Sequence, residues 1–123
     1  MTENEVAAEV VDACYRVHTG LGPGLLEAVY EGVLARELER RGLAVRRQVP
    51  VPVVWDGLEF DEGFRADLIV EKKVILELKS VENISKAHKK QVLTYLRLTG
   101  LKLGYLLNFG EGLMKEGIYR IIN

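Results

Sequence analysis

The sequence has a single cysteine, Cys14, so it can build neither an internal disulfide nor a cysteine-based zinc site. A lone thiol of this kind is usually core filling and suits a reducing interior, which makes the cytoplasm the expected compartment. The chain lacks the charged opening and apolar stretch of a signal peptide, and no run approaches the roughly 18 apolar residues that a membrane span needs. No internal repeat, low-complexity tract or linker is present. Nor is there an excess of positive charge: 17 Lys and Arg stand against 18 Asp and Glu, a formal net charge of -1. That balance argues against a general electrostatic nucleic-acid coat, whose affinity scales with the cations that displace counterions. It leaves room for an acidic site that holds metal ions.

What is present is a globular composition, 48% hydrophobic and 28% charged, expected to form one domain over residues 1–123. Val6, Val10, Val11, Cys14 and Val17 recur at helical spacing over about residues 4 to 19, until Gly20-Leu-Gly-Pro-Gly24 breaks the pattern. A second helix is predicted over about 24 to 41, with Arg40 and Arg41 in its last turn and Gly42 ending it. From about 44 the period becomes two, and Val45, Arg47, Val49, Val51, Val53 and Trp55 are expected on one face of a long strand. Pro50 and Pro52 make that an edge strand or give it one unpaired margin, and Asp56-Gly57 signals a hairpin turn. A second strand over about 58 to 71 and a third over about 73 to 80 complete an antiparallel meander. Ser85 can cap a third helix over about 86 to 99, ended by Gly100, and short strands follow at Leu103 to Phe109 and Gly117 to Ile122. The order is α-α-β-β-β-α-β-β, an α/β (α+β) fold with helices flanking a mixed sheet.

The polar residues within this pattern carry the chemistry. On the third strand Ile75, Glu77 and Lys79 share one face, while Val74, Leu76 and Leu78 share the other. On the second, Arg65, Asp67 and Ile69 share a face, opposed by Phe64, Ala66, Leu68 and Val70. Pairing across the hairpin brings Asp67 and Glu77 together, and two adjacent carboxylates need a cation or a raised pKa. Helix two is expected to bury Leu26, Val29, Tyr30, Val33, Leu34 and Leu38, with Glu27 aimed near the core. Helix three turns His88, Gln91, Val92, Tyr95 and Leu98 inward. Hard divalent cations take carboxylate oxygens and bridge to phosphate, and a nearby lysine can serve an attacking water.

The pattern Gly24-x-x-Glu27-x-x-Tyr30, then Asp67, Glu77-x-Lys79, Gln91 and Tyr95, resembles the small GxxExxY proteins of the PD-(D/E)XK nuclease superfamily. The similarity runs from about Val10 to Ile122. One departure is Ala66, where the signature has proline before the aspartate. The resemblance implies a restriction-endonuclease-like core in which Asp67, Glu77 and the Leu78 carbonyl bind Mg²⁺ or Mn²⁺. It also implies that Lys79 assists water, Glu27 supplies a further acid, and Gln91 and Tyr95 form the helix motif. Tyr30, Tyr95 and His18 are supporting candidates, each of which is otherwise explained as a core aromatic or a cationic helix end.

The function expected from this is metal-dependent hydrolysis of DNA or RNA phosphodiester bonds by a stand-alone nuclease core, with a homodimer as a further expectation. The alternative is a nuclease-fold module that binds nucleic acid or a protein partner without turnover. Glycines 20, 22 and 24 make a turn rather than a phosphate loop, since no GxxxxGK[ST] pattern follows.

Overall fold

Thr2 starts the first helix, α1 (Glu3–Leu21), with a capping box: Glu5 N donates to Thr2 Oγ1 at 3.2 Å and Thr2 N donates to Glu5 Oε1 at 2.9 Å. The computed structural model from which this is drawn describes residues 1–123, apart from the side chain of Glu62. A glycine turn with φ of 72° at Gly22 and 99° at Gly24 reverses the chain into α2 (Glu27–Arg40). Strands β1 (Val45–Trp55) and β2 (Leu58–Val70) are joined by Asp56-Gly57, both with positive φ as a type I′ turn requires. Glu71 and Lys72, again with positive φ, turn β2 into β3 (Val74–Lys79).

A parallel neighbour cannot be reached through a tight turn, so α3 (Lys86–Thr99) crosses over before β4 (Leu103–Asn108) pairs with β3 in parallel. A 3₁₀ turn at Met114–Gly117 then leads into β5 (Ile118–Ile122), antiparallel to β4. The strands lie in the order β1-β2-β3-β4-β5. The antiparallel meander is as the sequence predicts, and of the two placements the prolines allow for β1 it takes the edge. Helices α1 and α2 cover one face over a core that includes Val10, Leu34, Leu68 and Leu76, and α3 covers the other over Val49, Ala66, Ile75 and Leu96. Central strands covered on both sides must be apolar throughout. Val74 to Leu78 and all of β4 are accordingly buried. Gly104 lets α3 sit close to the sheet: a Cβ there would lie 2.9 Å from Val92 Cγ1.

Three sequence expectations are corrected. The period of two along β1 does not keep one face. Val45 packs with the α1–α2 core, whereas Val49 and Val51 pack under α3. On β2 likewise, Leu68 and Val70 lie on the α1–α2 side and Ala66 on the α3 side. The reversal occurs at Gln48, whose φ of 49° is left-handed, and where the ladder passes from Arg47↔Leu68 to Val49↔Ala66 without pairing Gln48 to Asp67. Helix α2 is rotated relative to expectation: Val29 and Val33 are 42% and 37% exposed, while Glu31 is buried. The rotation is tolerated because Arg47 pairs with Glu31 at 3.0 Å. His88 is not a core histidine. Its Nδ1 accepts from Ser85 N at 3.1 Å, closing the cap of α3, and Leu98 is 38% exposed.

Candidate active site

Regular pairing between β2 and β3 covers Val70↔Val74, Ile69↔Ile75 and Leu68↔Leu76. At the next position the two strands are held by carboxylates. Asp67 N donates to Glu77 Oε1 at 2.9 Å, and Leu78 N donates to Asp67 Oδ2 at 2.9 Å. The site is thus a fork in the sheet, where acidic side chains take over from ladder bonds.

The left-handed Gln48 lies beside this fork. Its Nε2 donates to Asp67 Oδ1 at 3.2 Å and to Glu31 Oε1 at 2.5 Å. Arg47 Nε donates to the other oxygen of Glu31 at 3.1 Å. Neither Glu31 nor Gln48 is singled out by the sequence pattern. Glu31 could have been found four residues after Glu27, one helical turn along the same face. Gln48 carries no such signal, because its role depends on a local break in strand alternation.

Tyr30 fixes the start of α2. Fully buried and stacked on Phe109 at 4.6 Å between centroids, it donates its hydroxyl to Gly22 O and accepts from Leu25 N at 3.2 Å. Ser80, next to Lys79, donates to Leu25 O at 2.6 Å and ties the same turn to the end of β3. Glu27 does not point toward the core as expected. It is exposed and lines, with Ala28, Glu31, Gln48 and Asp67, a cleft of about 420 Å³.

The electrostatics follow from burial. Glu77 is 4% exposed, and desolvation, reinforced by the Asp67 charge, pushes its carboxyl up to about 8 despite the opposing influence of Asp67 N and Lys79. Asp67 is also shifted upward, first by burial and then by Glu31, with Leu78 N, Gln48 and Lys79 acting the other way. Burial together with Glu77 and Asp67 drives the Tyr95 phenol above its ordinary range, with Gln91 acting in the opposite direction. Tyr95 packs against Phe64 at 5.2 Å.

Beyond Lys79 the chain is held by Asn108, another residue the sequence left without a role. Its Oδ1 accepts from Val81 N and Gly110 N, each at 3.0 Å, and its Nδ2 donates to Val81 O at 2.9 Å. His18 is engaged elsewhere, with Nε2 2.7 Å from Glu111 O.

The arrangement of an aspartate at a strand fork with Glu77-Leu78-Lys79 across from it coincides with a family match: the model for the PD-(D/E)XK nuclease superfamily aligns with residues 4–121. The chain belongs to the PD-(D/E)XK nuclease superfamily. No curated protein and no solved structure matches the chain. The mixed sheet and helix order are those of a restriction-endonuclease-like fold. PD-(D/E)XK nucleases generally use divalent metals, and the residues present suit one. Asp67 and Glu77 are adjacent, partly desolvated carboxylates whose mutual repulsion a cation would relieve. Among the described residues no three carboxylate, imidazole or thiol groups converge into a ready-made cage. Among the described residues no helix is long and apolar enough to cross a membrane.

Proposed function

We propose that this PD-(D/E)XK protein is a Mg²⁺- or Mn²⁺-dependent nuclease that hydrolyses phosphodiester bonds of DNA or RNA with water as nucleophile. The observation that carries the reading is the Asp67–Glu77 fork, where a buried carboxyl is held at about 8 beside a second acid. Asp67, Glu77 and the Leu78 carbonyl would hold the ion, with Glu27 facing the same cleft from α2. Once bound, the ion supplies charge stabilisation at the phosphoryl oxygens and lowers the pKa of water. Lys79, at the end of β3, orients the attacking water and offsets charge developing on phosphate. Gln91 and Tyr95 support Glu77 from α3. The Gly24-x-x-Glu27-x-x-Tyr30 run supports assignment to the GxxExxY proteins within the superfamily, with Tyr30 acting through the turn that precedes Glu27.

The decisive experiment incubates single- and double-stranded DNA and RNA with Mg²⁺ or Mn²⁺ and the wild type, Glu77→Ala or Lys79→Ala. Cleavage by the wild type alone is the expected result. Equal cleavage by all three, or no cleavage together with no metal uptake, would overturn the assignment.

A second reading, a module that binds nucleic acid or protein without turnover, is motivated by the formal net charge of -1, which supplies no excess of cations along a nucleic-acid track. Titration calorimetry separates the two, since a module of this kind binds its partner and takes up no divalent ion.

We also propose a homodimer. The β1–β2 hairpin exposes Val54, Trp55 and Leu58 beside Asp56 and Glu59. The cleft between α1 and α2 offers Leu21 and Val33 beside Arg36, with Arg16 paired to Glu37 at its rim, so its apolar lining and Arg36 match the hairpin of a second copy. Sedimentation equilibrium of the wild type and Trp55→Ser tests this: a wild-type monomer at high concentration rules it out.

A further inference from the structure

Gln48 has a geometry that neither strand pairing nor core packing explains. Successive side chains on a regular strand point to opposite faces. Arg47 and Gln48 nevertheless both reach Glu31, one on each carboxylate oxygen. The left-handed backbone at Gln48 makes this convergence possible. Glutamine has no side-chain advantage in that conformation, unlike glycine or asparagine. Its side chain is exposed and contributes no apolar burial. What it does have is an amide long enough to bridge from Glu31 to Asp67 Oδ1.

Glu31 determines how that amide is used. Both Glu31 oxygens act as acceptors, one for Arg47 Nε and the other for Gln48 Nε2, and the same NH₂ group then faces Asp67. Arg47 balances the charge of Glu31, which keeps this acid in place without a cation from elsewhere. On the opposite side, Leu78 N holds Asp67 Oδ2. The Asp67 carboxylate is therefore gripped at both oxygens, and each oxygen keeps a further lone pair for another partner.

We propose that Gln48 is a positioning residue that fixes the Asp67 carboxylate in the orientation in which it receives a divalent ion, with Arg47 and Glu31 as its anchor. The inference rests on the metal-dependent reading above. Partners that orient metal ligands typically influence affinity by about 10- to 100-fold when removed.

The test measures Mn²⁺ affinity by titration calorimetry, alongside thermal melting with and without Mn²⁺, for the wild type, Gln48→Ala and Gln48→Gly. Glycine accepts the left-handed backbone freely, so Gln48→Gly removes the amide while relieving the main chain. The expected result is a metal-free melting temperature for Gln48→Gly at or above that of the wild type, with Mn²⁺ affinity reduced at least about 10-fold in both variants. The rise in melting temperature on adding Mn²⁺ shrinks correspondingly. A purely structural role predicts the reverse, altered melting without metal and unaltered affinity. Wild-type Mn²⁺ uptake with both variants within about twofold of it overturns this inference alone. A wild type that takes up no Mn²⁺ overturns the metal reading and this inference with it.

Discussion

Asp67 and Glu77 hold each other in place: the Glu77 carboxylate accepts from the Asp67 backbone, and the Asp67 carboxylate accepts from the backbone of Leu78, the residue following Glu77. Each acid is both a candidate ligand and a substitute for a missing sheet hydrogen bond. Loss of one therefore disturbs the other, and the two substitutions should not add. In a double-mutant cycle with Asp67→Asn and Glu77→Gln, each single variant should reduce cleavage by more than about 100-fold. The double variant should lose little more than either single one. Additive losses in a plot of log rate would show that the two groups act independently.

The pH dependence of metal-free stability follows from Glu77. Its folded-state carboxyl titrates near 8, while in the unfolded chain it has the ordinary carboxylate value of about 4.5. Between those values the folded state binds the extra proton, so stability is complete below the lower value and is lost as pH rises through the upper one. Urea midpoints without metal should fall between about pH 5 and pH 8 for the wild type and change much less for Glu77→Gln. A flat wild-type profile over that interval would contradict the burial of this carboxyl.

Metal uptake at neutral pH should displace that proton. Mn²⁺ titrations in buffers of different ionisation enthalpy should report release of about one proton per chain near pH 7, and far less near pH 9. Identical apparent enthalpies in all buffers at pH 7 would mean that Glu77 is already ionised or does not bind the metal.

Tyr30→Phe keeps the ring stacked on Phe109 and removes only the hydroxyl that serves Gly22 O and Leu25 N. A loss of roughly 1 to 2 kcal/mol in urea denaturation is expected, with proteolysis enhanced in the glycine turn. Unchanged stability would show that water replaces the hydroxyl at no cost.

Gly110→Ala should be more damaging than an ordinary surface substitution, because an added Cβ would run into the Val81 backbone that Asn108 holds. Asn108→Ala leaves the part-buried Val81 and Gly110 backbone groups without their side-chain partner, with an expected loss of roughly 1 to 3 kcal/mol. Chemical denaturation of both variants measures this directly.

Much of this architecture is legible in the sequence because it is written in repeating patterns. Helical spacing places α1 and α3, Asp56-Gly57 turns the first hairpin, and the short apolar stretch at Leu103 to Phe109 marks β4. Asp67, Glu77 and Lys79 could be picked out because two strands in a hairpin bring positions together at predictable register. The remainder depends on exceptions to periodicity. One left-handed residue at Gln48 reverses the faces of β1 and β2, and α2 turns Glu31 inward only because an arginine from a distant strand meets it. Neither condition is visible until the neighbouring element is in place.

The order of strands across the sheet is also the order of strands along the chain. The two acids at the fork are separated by only ten residues and are brought together by the closing of one hairpin. Closing so short a loop has a small entropic cost, and contacts that are local in sequence favour rapid folding. The acidic pair can therefore assemble before the crossover helix docks. During synthesis the β2–β3 hairpin would emerge as a unit ahead of β4, and late folding errors would fall on the covering layers while the fork stayed intact.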